Sequence, residues 1–312
     1  MLNSIPVQWR GFSLAALAMI SFTIGSLGTK LALNASAIDF YSIAIWGWGS
    51  GMVAATLFFF LPLKSQREEL LPELKKHKQF FGIISVLTLI NGSTWFYGMS
   101  QINGGVVALL DQNVIVWSFL LGALFLGERF SWRQLSAISI TILGLVIISN
   151  LKGEVTLLGI LCLLTCGLSI SLQSLLIKKY KLPFNALALA FWRGWAMVIF
   201  SFLISLSLGI FQSQIELYAL ITVGVAQFFG LFVGRAAYIK AHEFLPMSHL
   251  SFLMLGIPII VLLSSFVVLN EPVSLQKIIG ALVMLSGLIW FFTRKAKRAK
   301  QKKAEPLVSG LN

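Results

Sequence analysis

The sequence predicts an all-α integral membrane protein whose ten transmembrane helices form two inverted five-helix repeats. Three observations carry this prediction. Apolar residues make up 57% of the 312-residue chain and charged residues 11%, with a mean hydropathy of +0.88. A soluble domain carries about 25% charge, and a water-soluble fold could not hide so much apolar surface. The chain also breaks into ten apolar runs, each near the roughly twenty residues a helix needs to cross about 30 Å of hydrocarbon. Finally, Leu126, Glu128, Ser131, Gly144 and Leu145 fall without a gap on Leu269, Glu271, Ser274, Gly287 and Leu288, 143 residues further on. Five runs to a half is an odd number, so a duplicated second half must lie upside down relative to the first.

Lipid offers no water to unpaired backbone groups, so every run must be helical. The first, residues 11–31, follows a single Arg10 and is too long for the apolar core of a signal peptide, so it is read as a retained span. Its Gly25 and Gly28 allow close backbone approach. The second run covers 40–62 and is followed by a basic segment, 63–79. The third, 80–99, carries Asn91 and Trp95 four residues apart on one face, an amide and an indole suited to walling a small-ligand cavity. The fourth, 105–126, carries Asp111 close to its start. A charge within a membrane helix costs about 3 kcal/mol, so Asp111 is expected either to pair with Lys30 or to handle a proton or a substrate amine. The fifth, 134–150, opens behind Glu128 and Ser131, and Ser131-x-x-Gln134 reads as a capping box.

The sixth run, 156–177, contains Cys162 and Cys166. Their spacing is not C-x-x-C, so they are read as packing residues, with neither a metal site nor a disulfide framework signalled. Gln173 on the same run is a candidate for cavity lining or helix–helix contact. The seventh, 185–208, carries Arg193. The eighth, 216–238, carries Gly230-x-x-x-Gly234 and Arg235, and Arg235 is a candidate for binding an anionic group. The ninth, 248–269, begins at His249, which can titrate near neutral pH, and contains Pro258. The tenth, 275–293, opens behind Glu271 and Pro272. Proline suits a first helical turn, and a carboxylate there complements the positive end of the helix dipole.

The chain therefore divides into a first repeat, 1–150, a second, 151–293, and a basic tail, 294–312. The net charge of +13 does not point to nucleic acid, because the positive residues sit in short blocks between apolar runs. Such blocks suit the anionic cytoplasmic face of a bilayer. With a cytoplasmic N-terminus, 19 of the 24 Lys and Arg residues fall on that side and 3 on the other, with Arg193 and Arg235 inside runs. Both termini are accordingly expected in the cytoplasm, with the chain in the plasma (bacterial inner) membrane. No nucleotide-binding motif is present, and no cofactor is expected. The partners implied are a small-molecule substrate and the lipid bilayer. A monomer suffices to enclose a pathway, and a homodimer is compatible with the sequence.

The ten runs, the Leu-Gly-Glu-Arg turn at 126–129, the Asn-Glu-Pro turn at 270–272 and Pro258 resemble the EamA-type branch of the drug/metabolite transporter superfamily. The likeness spans residues 10–293, although Ile115 and Gly47 stand where the family commonly has Pro and Arg. It implies a secondary transporter rather than an enzyme, moving an amino acid or related metabolite outward by alternating access. It also implies a central cavity lined by the first, third, fourth, sixth, eighth and ninth spans, for which the residues singled out above, Asn91, Trp95, Asp111, Gln173, Arg235 and His249, are the candidates. Two other readings stay open: a proton-coupled extruder of drugs or cations, favoured by an acid among aromatics, and an integral membrane enzyme, for which His77, His242 and His249 supply no nucleophile or metal-ligand spacing.

Overall fold

The computed structural model describes residues 7–36, 38–62, 68, 72–101, 110–148, 156–180, 185–269 and 274–304, and among these no strand occurs. A helix stands at each of the ten apolar runs. They are α1 (Val7–Asn34), α2 (Phe40–Ala55, continued by a π-helical turn Thr56–Phe60), α3 (Lys78–Gln101), α4 (Asn113–Leu126), α5 (Trp132–Ile148), α6 (Leu157–Tyr180) and α7 (Ala186–Ser207). The eighth, α8, has three parts: Leu217–Gln227, a π-helical stretch Phe228–Gly234, and Arg235–Ala241. The ninth, α9, joins Met247–Leu253 to Ile257–Leu269 through a 3-10 turn, Met254–Gly256, and α10 covers Leu275–Ala304. Five stretches are long and apolar enough to cross a membrane: Trp9–Leu33, Tyr41–Phe59, Leu157–Tyr180, Ala186–Ser207 and Leu217–Ala241. Large apolar side chains turn outward from the bundle, among them Phe58, Leu124 and Val267, as a lipid solvent requires.

The ends of the helices have local causes. Asp39 caps α2 by accepting from the Tyr41 and Ser42 amides at 2.8 and 3.1 Å, and Asn185 caps α7 through the Leu187 amide at 3.0 Å. Gly127 ends α4 with a φ of +65°, the left-handed conformation that glycine adopts without a Cβ penalty. The 3-10 turn in α9 precedes Pro258, whose ring has no N–H and crowds the carbonyl four residues back. Two boundaries differ from the sequence reading. Regular helix in the fourth run begins at Asn113, with Asp111 and Gln112 in the preceding turn; residues 102–109 lie outside the described set. The helical backbone of α10 continues to Ala304, well into the segment expected to be a tail.

The chain separates into two units that cut across the sequence halves: Met1–Glu128 with Leu151–Pro272, and Arg129–Asn150 with Val273–Asn312. In the first, α1 packs on α8 and α9, α3 on α6 and α7, α2 on α7 and α8, and α4 on α6 and α9. Glycines allow a close crossing of α1 and α8. A Cβ on Gly25 would come within 3.1 Å of the Gly230 Cα, and one on Gly230 within 3.1 Å of the Gly25 Cα.

The second unit is a helix pair, α5 on α10. The Arg133 guanidinium lies 4.6 Å above the Trp290 ring, and the Gln276 amide donates to the Ile147 carbonyl at 2.9 Å. Between these, Gly144 faces the Gly280 carbonyl and the Met284 backbone, while Gly287 faces the Ala137 carbonyl and Thr141. Numbers rise along one helix as they fall along the other, so the two run antiparallel. The contacts are also reciprocal. Adding 143 to Ala137, Thr141 and Gly144 gives Gly280, Met284 and Gly287, so each helix presents the same register positions to its partner.

Candidate functional site

Polar side chains collect on one face of α3. Thr88, Asn91 and Trp95 are spaced three and four residues apart, the interval that stacks side chains along a helix. Facing them are Arg193 from α7 and Arg235 from α8. Thr88, Asn91, Arg193, Gly194, Met197, Leu231 and Arg235 line a cavity of about 40 Å³. Its volume admits a water or two, or the head of a small solute.

Arg193 is 5% exposed and donates from Nε to the Thr88 hydroxyl at 3.4 Å. Arg235 begins the last segment of α8, directly after the π-helical stretch. Such stretches shift the register of a helix and recur at functional sites. The Arg235 guanidinium lies 5.4 Å from the Phe22 ring centre and 5.7 Å from that of Tyr238, cation–π distances. Tyr238 in turn shares a hydroxyl contact of 3.2 Å with Ser174 of α6.

One turn along α3 from Asn91, the Trp95 indole N–H donates to the Asp111 carboxylate at 3.0 Å. The Lys30 side chain, expected as a partner of Asp111, lies outside the described residues. Asn91 accepts a weak S–H contact from Cys166 at 3.6 Å. Of the six sequence candidates, Asn91 and Arg235 thus share a cavity, and Trp95 and Asp111 form a pair beside it. Gln173 is 2% exposed, and both atoms of its amide lack a hydrogen-bond partner; it does not line this cavity. His249 stands apart too, with Nδ1 3.4 Å from the Ser248 hydroxyl. Sequence reasoning gave Arg193 little weight and passed over Thr88. The available signal was Thr88-x-x-Asn91 spacing on a face already marked by Asn91 and Trp95.

A second cavity, about 330 Å³, lies on a different face of α3, between Tyr41, Ser93, Tyr97, Cys162 and Ser205. Its walls are mainly apolar and carry no charge. Among the described residues no cluster of His, Cys, Asp and Glu is arranged to hold a metal ion.

The Glu128 motif acts on a neighbouring helix. Its carboxylate accepts from the Met247 amide at 2.8 Å and the Ser248 amide at 3.3 Å, and from the Ser248 hydroxyl. It therefore caps the N-terminus of α9, where unpaired amides and the helix dipole favour an anion. Gly127 turns the chain so that Glu128 faces α9, four residues before α5 begins. The start of α5 is held by Ser131 and Gln134: the Ser131 amide donates to the Gln134 side chain at 2.9 Å and the Gln134 amide to the Ser131 hydroxyl at 3.4 Å. Glu271 and Pro272 lie outside the described residues.

Comparison with known proteins gives consistent relatives. The EamA-like transporter family matches the chain twice, at residues 9–150 and 157–293. An "uncharacterized transporter" from Archaeoglobus fulgidus is 26% identical over 208 residues, covering 64% of this chain and 71% of that protein. "Protein CLT2, chloroplastic" from Arabidopsis thaliana is 32% identical over 82 residues, 26% of this chain and 19% of the relative. A solved crystal structure of a protein superposes with a TM-score of 0.70 at 15% identity, covering 94% of this chain and 98% of the other; at that identity the likeness is one of fold.

Proposed function

The chain belongs to the EamA-like transporter family, and from that premise we propose that it is a secondary carrier working by alternating access through ten spans in two inverted halves. It is a multi-pass membrane protein of a family that transports small solutes; the architecture and mechanism are the further step. The observation that carries them is the α5–α10 seam. Two halves of five spans that lie upside down relative to each other require their equivalent helices to run antiparallel. In α5 and α10 the equivalents do so, through residues that map onto each other by a shift of 143. The double family match supports the same duplication. The packing of the first unit agrees: α1 on α8 corresponds to α6 on α3, α2 on α8 to α7 on α3, and α1 on α9 to α6 on α4. Inverted repeats of this kind place a substrate site between the halves near the midplane.

The solute is read as an amino acid or related metabolite, carried outward, in the plasma membrane with both termini cytoplasmic. Support comes from the block-wise Lys and Arg distribution and from a polar cavity deep in an apolar bundle. A cation extruder is the second reading. It draws on the Trp95–Asp111 pair, an acid beside an aromatic ring, but two guanidinium groups in the neighbouring cavity repel a cationic solute.

The architecture is tested by single cysteines at 128 and 271, labelled in intact cells with a membrane-impermeant maleimide. Opposite accessibility is expected; the same side for both sinks the inverted repeat. Transport is tested by counterflow of a labelled amino acid panel in proteoliposomes, which requires no knowledge of the coupling ion.

A further inference from the structure

Two arginines in the interior of a membrane bundle are costly unless something balances them. Among the described residues the ion pairs are His77–Glu73 and Lys240–Glu243, so neither Arg193 nor Arg235 meets a carboxylate. Arg193 has one long bond to Thr88, and Arg235 rests on two aromatic faces. The only acid near them in the described set, Asp111, accepts from Trp95 and does not line their cavity. A guanidinium stays charged at any accessible pH. The cavity is therefore built to hold positive charge and to leave its neutralisation to something that enters.

We propose that Arg193 and Arg235 form the binding site for the oxyanion head, carboxylate or phosphate, of a small organic anion. The site rests on the carrier reading above and narrows its substrate class. Arg offers a planar fork that grips two oxygens of one acidic group. Two arginines lining one cavity of about 40 Å³ suit a single head with a pair of charged oxygens. Asn91 adds a neutral amide donor, while Thr88, whose hydroxyl donates to the Ile84 carbonyl at 2.7 Å and accepts from Arg193, orients that guanidinium. Met197 and Leu231 add apolar surface to the wall. The π-helical stretch before Arg235, with Gly230 locked against Gly25, fixes which face of α8 carries the guanidinium.

The test uses the full-length protein in detergent and in proteoliposomes. Probes are succinate, lactate, glycerol 3-phosphate and, as a cation of similar bulk, tetraphenylphosphonium. At millimolar concentration at least one soluble anion is expected to raise the thermal midpoint of the wild type, and tetraphenylphosphonium to leave it unchanged. Arg193→Gln and Arg235→Gln should each weaken that anion about 30-fold or more, since they remove one partner of a buried charge pair. Without ligand, each should melt at or above the wild-type midpoint, because an unbalanced charge has been removed. Arg235→Lys keeps the charge and loses the fork, and should retain weak binding. The preference between succinate and glycerol 3-phosphate assigns the head as carboxylate or phosphate. The proposal is overturned if no soluble anion stabilises the wild type, if phosphatidylglycerol alone does so, or if both glutamine variants melt lower and bind the anion unchanged. Counterflow of a neutral or zwitterionic solute that both glutamine variants retain also overturns it and leaves the carrier standing. Arginine-dependent anion binding with no counterflow of any solute has the opposite meaning: the site stands and the carrier falls.

Discussion

Glu128 shows how one side chain joins parts of the chain distant in sequence. It is 119 residues from Met247, yet its carboxylate closes the first turn of α9 by accepting three hydrogen bonds. Glu128→Ala strands those amides and should cost about 1–2 kcal/mol, read as a lowered thermal midpoint; Glu128→Gln keeps an acceptor and should lose less. Just beyond the end of α8, His242 is 1% exposed, edge-on to Tyr238, with neither ring nitrogen hydrogen-bonded. Burial first, then the positive charges of Lys178 and Arg235, push its imidazole from the ordinary 6.5 down to about 3. The folded protein keeps it neutral while an unfolded chain takes up a proton below about pH 6.5, so its contribution to stability is complete above that pH and drains away towards pH 3. His242→Phe should flatten the fall in thermal midpoint between about pH 7 and pH 5; an unchanged slope would show that the group does not titrate on unfolding. Asp111 can be probed with two variants. Asp111→Asn preserves an acceptor for the Trp95 indole, and Asp111→Leu removes that acceptor at a cost of about 1–3 kcal/mol, so only the second should lower the midpoint. If Asp111 also couples protons, Asp111→Asn loses pH-gradient-driven uptake while counterflow persists. At this scale the sequence was readable in part. Ser131 and Gln134 are neighbours, and their capping box follows from spacing. The destination of the Glu128 carboxylate depends on which helix packs alongside, and no local pattern encodes that.

Helices were the most legible layer, because lipid leaves a run of twenty apolar residues no other conformation. What spacing could not supply was the interruptions. The π-helical stretch at Phe228–Gly234 and the 3-10 turn at Met254–Gly256 sit inside uniformly apolar runs, where only Pro258 gave a hint. Partner choice was equally hidden: the recurring motif suggested a kinship between α5 and α10, but not that they lie against each other. Their seam is a prediction in itself. Gly287→Leu drives a side chain into the Ala137 carbonyl and Thr141, and overpacking of this kind costs about 1–3 kcal/mol. Gly82→Ala in α3 meets nothing within 4 Å and should be neutral or slightly stabilising, since alanine is the better helix former. Comparison of the two in a thermal melt separates close packing from a general dislike of larger residues; equal losses would deny the seam its role.

For the whole molecule, five aligned residues raise the expectation of a duplication, and the charge blocks that of a sidedness. The contacts among helices add a consistency that composition lacks, with packing in one half echoed in the other. The paired arginines carry a consequence beyond recognition. On the carrier reading proposed above, a binding site bearing two positive charges and exposed alternately to either face would sample the electrical potential across the bilayer, worth about 2.3 kcal/mol per elementary charge per 100 mV. In a cell that is negative inside, that reading has the empty carrier pulled toward an inward-open form. Bound to a divalent anion it becomes electrically silent and returns freely. Voltage steps on reconstituted protein should therefore evoke a transient displacement current that saturating anion abolishes.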